Sequence, residues 1–225
     1  MMGFTDKTVI EYIDSYYRPI DEDLAELRRV NELNNVPLIL RETEGFLSLL
    51  LDIVRPSHIL EIGTAYGYSA VFFAKKMKNA RITTIERSPH MIEAAERTFA
   101  SRKEGDRIDL RTGDALEILD SMISDSRSGS SCDDMYDFVF IDAGKSHYRE
   151  FLERAEKLLV PGSIIVCDNI LMHGWMVSRT IEGSKRHRTN VKYMRQFIEY
   201  IEGRDDLSVS LLSSGDGLAV IRYNE

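Results

Sequence analysis

From residue 58 onward the chain alternates short apolar runs with amphipathic segments, and that rhythm is the strongest constraint on its fold. HILEI (58–62), RITTIE (81–86), RIDLRTG (107–113), DFVFIDA (137–143) and SIIVCDN (163–169) read as strands. Between them, 68–76, 89–102, 115–123 and 148–159 carry helical periodicity, the second opened by Ser88 as N-cap and Pro89 at the first helical position. Strands this continuously apolar are buried on both faces, so they predict a parallel sheet with helices on each side. After a further helix at about 190–202 come LSVSLLS and GLAVIRY, joined by the short link SSGDG, which predicts an antiparallel hairpin at the sheet edge. The expected fold class is α/β: a doubly wound, seven-stranded sheet, mostly parallel with an antiparallel edge hairpin, plus N-terminal helices.

Helical patterns at 9–17, 21–34 and 41–54, the last two separated by Pro37, precede the first strand. Residues 1–55 are expected to form a helical cap on a core of 56–225, together one domain. At 225 residues and 43% hydrophobic content the chain can bury one sizeable core. It holds no apolar run of membrane-spanning length and no basic leader followed by an apolar stretch. Two cysteines, Cys132 and Cys167, give no disulfide framework, and Cys167 reads as a small buried thiol. A cytoplasmic enzyme is expected. The net charge of −8 argues against a surface that coats nucleic acid generally, but not against a local basic patch. Residues 124–134, small and polar, read as a surface loop without function.

The loop after the first strand reads Leu60-Glu61-Ile62-Gly63-Thr64-Ala65-Tyr66-Gly67-Tyr68-Ser69. Gly63 permits a sharp turn and close approach of a ligand, and ligands of doubly wound sheets bind beyond the strands' carboxyl ends. A pyrophosphate site would want G-x-G-x-x-G; here Ala65 replaces the second glycine and the spacing is G-x-x-x-G. Glu61 beside the glycines suits a cationic ligand, one with an ammonium or sulfonium group. The alternative is an ordinary strand–helix turn. Glu86 ends the second strand 19 residues beyond Gly67, where an acid accepts hydrogen bonds from ribose hydroxyls. Gly113-Asp114-Ala115, after the third strand, would lie beside an adenine. Tyr68, Ser69, Arg87 and Asp142 on the same rim complete the candidate cofactor set.

Asp142, Asp168 and Asn169 also fall at carboxyl ends of predicted strands. Hard oxygen donors without Cys or His suit Mg²⁺, or Mn²⁺ or Ca²⁺, and disfavour Zn²⁺. The competing reading is that these residues cap the helices that follow. Lys145, three residues after Asp142, is a candidate general base, since a lysine beside a metal holds its proton less tightly; otherwise it is a surface lysine. Asp142 and Lys145 form the candidate catalytic pair. His147 and His173 lie near the rim without an assigned role.

Taken together, the motifs resemble the metal-dependent O-methyltransferase family that includes catechol and caffeoyl-CoA O-methyltransferases. The resemblance runs from about Val36 to the C-terminus: LEIGTAYGYSA looks like the family's cofactor loop, FIDAGKSHY its first metal segment and VCDNIL its second. It implies a Rossmann-like fold, S-adenosylmethionine bound by Glu61, Gly63, Ser69, Glu86 and Ala115, a metal on Asp142, Asp168 and Asn169, Lys145 as base, and a homodimer. Within the family, VPLILRETEGFLSLLL, DNILMHG and GDGLAVIRY look closest to the bacterial tRNA 5-hydroxyuridine methyltransferases.

Three function classes follow: methylation of a tRNA base, methylation of a small catechol-like molecule, and a nicotinamide-dependent oxidoreductase or non-catalytic nucleotide-binding module. The missing dinucleotide fingerprint and the acidic triad count against the third. The 5-hydroxyl of hydroxyuridine and its neighbouring carbonyl can chelate one cation as a catechol's two oxygens do, so the triad serves either of the first two. The segment 178–195 tips the expectation to tRNA: Arg179, Lys185, Arg186, Arg188, Lys192 and Arg195 against Glu182 give a local charge of +5, suited to phosphates around a splayed loop base.

Overall fold

The computed structural model describes residues 7–127, 135–177 and 185–224. Three helices, α1 (Lys7–Asp14), α2 (Glu22–Leu33) and α3 (Arg41–Val54), precede the alternating region. There follow β1 (His58–Ile62), α4 (Tyr68–Lys76), β2 (Arg81–Glu86), α5 (Pro89–Ala100), β3 (Ile108–Thr112), α6 (Ala115–Arg127), β4 (Tyr136–Ile141), α7 (Tyr148–Ala155) and β5 (Leu159–Asp168). The chain then runs through α8 (Lys185–Glu202), β6 (Leu207–Leu212) and β7 (Leu218–Tyr223).

The seven strands form one sheet in the order β3-β2-β1-β4-β5-β7-β6. β3 to β5 pair in parallel, and β7 is inserted antiparallel between β5 and β6. The expected fold class and edge hairpin are therefore present. Alternation along each strand divides the core. Ile59, Phe138 and Phe140 pack with Phe72 and Phe73 of α4 and with Leu24, Leu47 and Leu51 of the N-terminal helices. Leu60, Ile62 and Val139 face Leu119 of α6, Leu152 of α7 and Phe197 of α8. Cys167 is buried, as expected; Cys132 lies outside the described residues. No helix among the described residues is long and apolar enough to cross a membrane.

Several boundaries differ from the sequence reading. α6 continues to Arg127, through residues expected to be loop. Ser124 Oγ donates to Asp120 O and Ser126 Oγ to Ile123 O, so the serines bond back onto their own helix. The remainder of that loop, 128–134, lies outside the described residues. β5 begins four residues before the expected position, passing through Gly162 at φ +87 with a register shift against β4 between Tyr136 and Phe138. Ser88 makes no side-chain cap; Pro89 starts α5, and the Ser88 N–H goes to Glu86.

Candidate cofactor cleft and acidic centre

The sheet order places β1 beside β4 while their continuations lead to opposite sides, and a cleft opens beyond their carboxyl ends at this switch point. Gly63, at φ +107, makes the closeness possible: a Cβ there would stand 2.1 Å from the Asp142 carbonyl oxygen. The glycine is thus required by the neighbouring strand end, a reason the sequence did not carry. The cleft holds about 390 Å³ and is lined by Gly63, Tyr68, Ser69, Glu86, Arg87, Gly113, Asp114, Ala115 and Asp142, every candidate cofactor residue except Glu61. Pro37, Leu38 and Ile39 from the N-terminal segment complete one wall. Thr43 does not reach it; it is buried against Gly215.

Glu86 is held by three backbone donors: Ala65 N to Oε2, and Arg87 N and Ser88 N to Oε1, each at 2.9 Å. The carboxylate therefore shapes the glycine loop as well as facing the cleft. Tyr68 offers only its ring, because its hydroxyl donates to Glu44 Oε2 at 2.6 Å. Asp114 accepts the Leu116 N–H at 3.0 Å, turning the chain into α6. Glu61 lies beneath the floor, fully buried, with Thr84 donating to Oε2 while Oε1 has no partner. Burial pushes its carboxyl up to about 7, against the pull of the neighbouring Ser69 and Thr84 hydroxyls. An orphaned buried acceptor under Ser69, which lines the cleft, suits a cationic group above it.

Next to the cleft, Asp142 Oδ1 accepts Lys145 Nζ at 2.9 Å and Asn169 Nδ2 at 3.0 Å, and Asp168 Oδ1 accepts the Asn169 N–H at 2.6 Å. None of the three acidic or amide side chains caps a helix: α7 starts from His147, and the short turn after β5 starts from Leu171. The capping alternative is thereby removed. Burial, and then the charge of Asp142, push Asp168 up to about 7. Among the described residues no trio of His, Cys, Asp or Glu side chains converges as a metal site. The candidate centre is two carboxylates and an amide, an oxygen set that fits a hard divalent cation, whose charge would relieve the strain between Asp142 and Asp168.

Lys145 is tied from its other side by Tyr148, a residue that sequence reasoning missed. Lys145 Nζ donates to the Tyr148 hydroxyl at 2.8 Å, and that hydroxyl donates to the Asp168 carbonyl at 2.7 Å. Tyr148 is buried, and burial holds its hydroxyl protonated far above the ordinary range. The only hint in sequence was its i+3 spacing from Lys145 in FIDAGKSHY.

The loop after Asp168 is strained. Asn169, Met172 and His173 have φ of 62°, 50° and 55°. It is held by the β6–β7 turn: Asp216 accepts the Leu171 N–H on its carbonyl at 2.8 Å and the His173 N–H on Oδ1 at 2.6 Å, and Gly217 O accepts the Ile170 N–H at 3.1 Å. His147 lines the cleft, whereas His173 packs by Asp216 and Trp175. Of the basic segment, 178–184 and the side chains of Lys185 and Arg186 lie outside the described residues. Arg188 and Lys192 are exposed on α8, but Arg195 donates to the Met176 carbonyl at 2.9 Å and is committed to holding that loop.

The chain is similar to known proteins along most of its length. A family model described as O-methyltransferase matches residues 13–224. A catechol O-methyltransferase of Niastella koreensis is 30% identical over 190 residues, 79% of this chain and 83% of the relative. Caffeoyl-CoA O-methyltransferase 1 of Eucalyptus globulus is 27% identical over 215 residues, 92% of this chain and 84% of the relative. The crystal structure of an O-methyltransferase from Bacillus cereus in complex with SAH (S-adenosylhomocysteine) superposes with a TM-score of 0.80 at 30% identity, covering 96% of this chain and 97% of that one.

Proposed function

The chain belongs to the O-methyltransferase family, and we propose that it moves the methyl group of S-adenosylmethionine to a hydroxyl on an aromatic ring that carries a second oxygen alongside. The observation that carries this reading is the adjacency of the cleft to Asp142, Asp168 and Asn169, because Asp142 belongs to both. Glu86 would hold the cofactor's sugar, residues 113–115 its adenine, and Ser69 with Glu61 beneath it the cationic end. Asp142, Asp168 and Asn169 would hold a divalent cation, which would supply Lewis acidity to the acceptor hydroxyl. Lys145, in its neutral form and aimed by Asp142 and Tyr148, takes the hydroxyl proton as the oxygen–carbon bond forms and the carbon–sulfur bond breaks. S-adenosylhomocysteine and the methyl ether leave.

For the acceptor, the curated relatives favour a small catechol-like molecule. A second reading, 5-hydroxyuridine in a tRNA anticodon loop, is favoured by the basic run that includes exposed Arg188 and Lys192. Exposed Val9, Tyr12 and Ile13 of α1 and Tyr16 just beyond it, with Leu49 and Ile53 of α3, suit a homodimer face. The test is incubation with S-adenosylmethionine, with and without Mg²⁺, beside catechols and tRNA bearing 5-hydroxyuridine. Methylation of either acceptor, abolished by EDTA and restored by Mg²⁺ or Mn²⁺, is expected; full turnover after exhaustive chelation removes the cation from the mechanism.

A further inference from the structure

Among the described residues, helix α2 makes ionic contacts with the remainder of the molecule in two places, one around Lys75 and one around Arg28 with the Glu32–Arg41 pair beside it, and only the second touches the cleft. In the first, Lys75 of α4 pairs with Asp21 at 2.7 Å, Asp23 at 3.2 Å and Glu104 at 3.8 Å, and Arg102 pairs with Asp23 at 2.9 Å. None of these residues lines the cleft. The second is centred on Arg28, 5% exposed. Its Nη2 donates to Glu44 Oε2 at 2.6 Å and to the Ile39 carbonyl at 3.0 Å, and its Nε donates to the Tyr68 hydroxyl at 3.0 Å. Its guanidinium carbon lies 4.6 Å from the centre of the Tyr68 ring. Tyr17 closes the cluster by donating to Glu44 Oε1 at 2.7 Å.

Ile39 and Tyr68 are both cleft-lining residues, one from the segment before α3 and one from the first turn of α4. A single planar fork therefore fixes the backbone of one and the ring of the other. A buried ion pair of this kind adds little stability over apolar groups of the same shape, because both charges must leave water. What it adds is geometry: guanidinium holds its donors to a carboxylate, a carbonyl and a hydroxyl in one fixed plane, whereas the three donors of an ammonium rotate on a flexible stem.

We propose that Arg28 is a positioning residue for the cofactor, holding the Ile39 carbonyl and the Tyr68 ring at the spacing the bound cofactor requires, so that docking of the N-terminal helices and occupancy of the cleft reinforce each other. The inference rests on the reading that S-adenosylmethionine binds in this cleft. Coupling of this kind is reciprocal, so occupancy must also protect α2 from opening.

The experiment titrates S-adenosylhomocysteine into the full-length chain by calorimetry, with hydrogen exchange of α2 followed in parallel. Arg28→Lys keeps the charge and loses the fork. Because an unpaired Glu44 can itself disturb folding, an Arg28→Met/Glu44→Gln pair removes both charges. Each is expected to weaken S-adenosylhomocysteine by about tenfold, to raise the KM for S-adenosylmethionine with little change in kcat, and to lose ligand-induced protection of α2. Lys75→Met, which breaks the remote cluster, is expected to lower Tm while leaving the Kd within about twofold of native. If native protein binds and both Arg28 variants bind within twofold of it, or Lys75→Met loses as much affinity as they do, the positioning role is wrong. Native protein that binds no S-adenosylhomocysteine overturns the cleft assignment and this inference with it.

Discussion

Glu86 has two tasks, bonding three backbone N–H groups and facing the cleft. Glu86→Ala is expected to weaken S-adenosylhomocysteine by roughly 1.5–3 kcal/mol and also to lower Tm, because the orphaned loop donors lose a charged acceptor. Unchanged affinity by calorimetry would take Glu86 out of the sugar site. Lys145 is judged by turnover: Lys145→Ala is expected to cost about 10²–10⁴-fold in kcat at little cost in cofactor affinity. Tyr148→Phe keeps the ring and removes Lys145's second anchor, so it is expected to cost kcat less than Lys145→Ala does; a loss in Lys145→Ala below tenfold would leave the lysine an orienting role only. Glu61 carries a pH dependence. Its carboxyl is raised from its ordinary 4.5 to about 7 in the fold. Such a group favours the folded state most below its ordinary pKa, and that advantage is lost as pH rises through about 7. Asp168 titrates in the same window, so the difference between native protein and Glu61→Gln isolates Glu61. Urea midpoints are expected to show the variant gaining on native from about pH 5 to pH 8; parallel curves would contradict it.

Elements were legible where periodicity is local. β1, α4 and β2 fall at the predicted residues because each alternates or repeats within its own length. α6 and β5 outran their expected ends because serines that bond back to the helix and a bulge at Gly162 defy composition. In the site, Asp142, Asp168 and Asn169 could be read because strand ends of a parallel sheet share one rim. Tyr148, Arg28 and Asp216 could not, since their roles depend on partners 20 to 43 residues away. The β1–β4 junction supplies a sharp test at this scale. Gly63→Ala places a methyl against the Asp142 carbonyl at a φ that disfavours side chains, and is expected to cost roughly 3 kcal/mol or more of stability, read from denaturant midpoints. A near-native midpoint would mean that β4 yields at that point.

At the scale of the whole molecule, the two acceptors would approach the cleft across different surroundings. The mixed sheet and its flanking helices are common to every reading, so the readings differ in what they ask of the outer surface. Arg188 and Lys192 on α8 are exposed, and charge reversal at both is expected to suppress methylation of tRNA by about tenfold or more at low salt, while leaving catechol turnover within about twofold. Equal losses on both acceptors would show that α8 serves the site's shape and not a polyanion.

The position of β7 has a further meaning for how the molecule comes into being. Synthesis delivers β6 before β7, yet β7 lies between β6 and β5. Until β7 emerges, β5 has a bare edge and β6 has no strand to join. The turn that brings β7 in also contains Asp216 and Gly217, which hold the loop of Asn169. The donors that hold Glu86 all lie within residues 65–88, whereas the loop that carries Asn169 gains its anchors only after the last strand slots into place. Synthesis of the last strand is thus what completes the surroundings of Asn169.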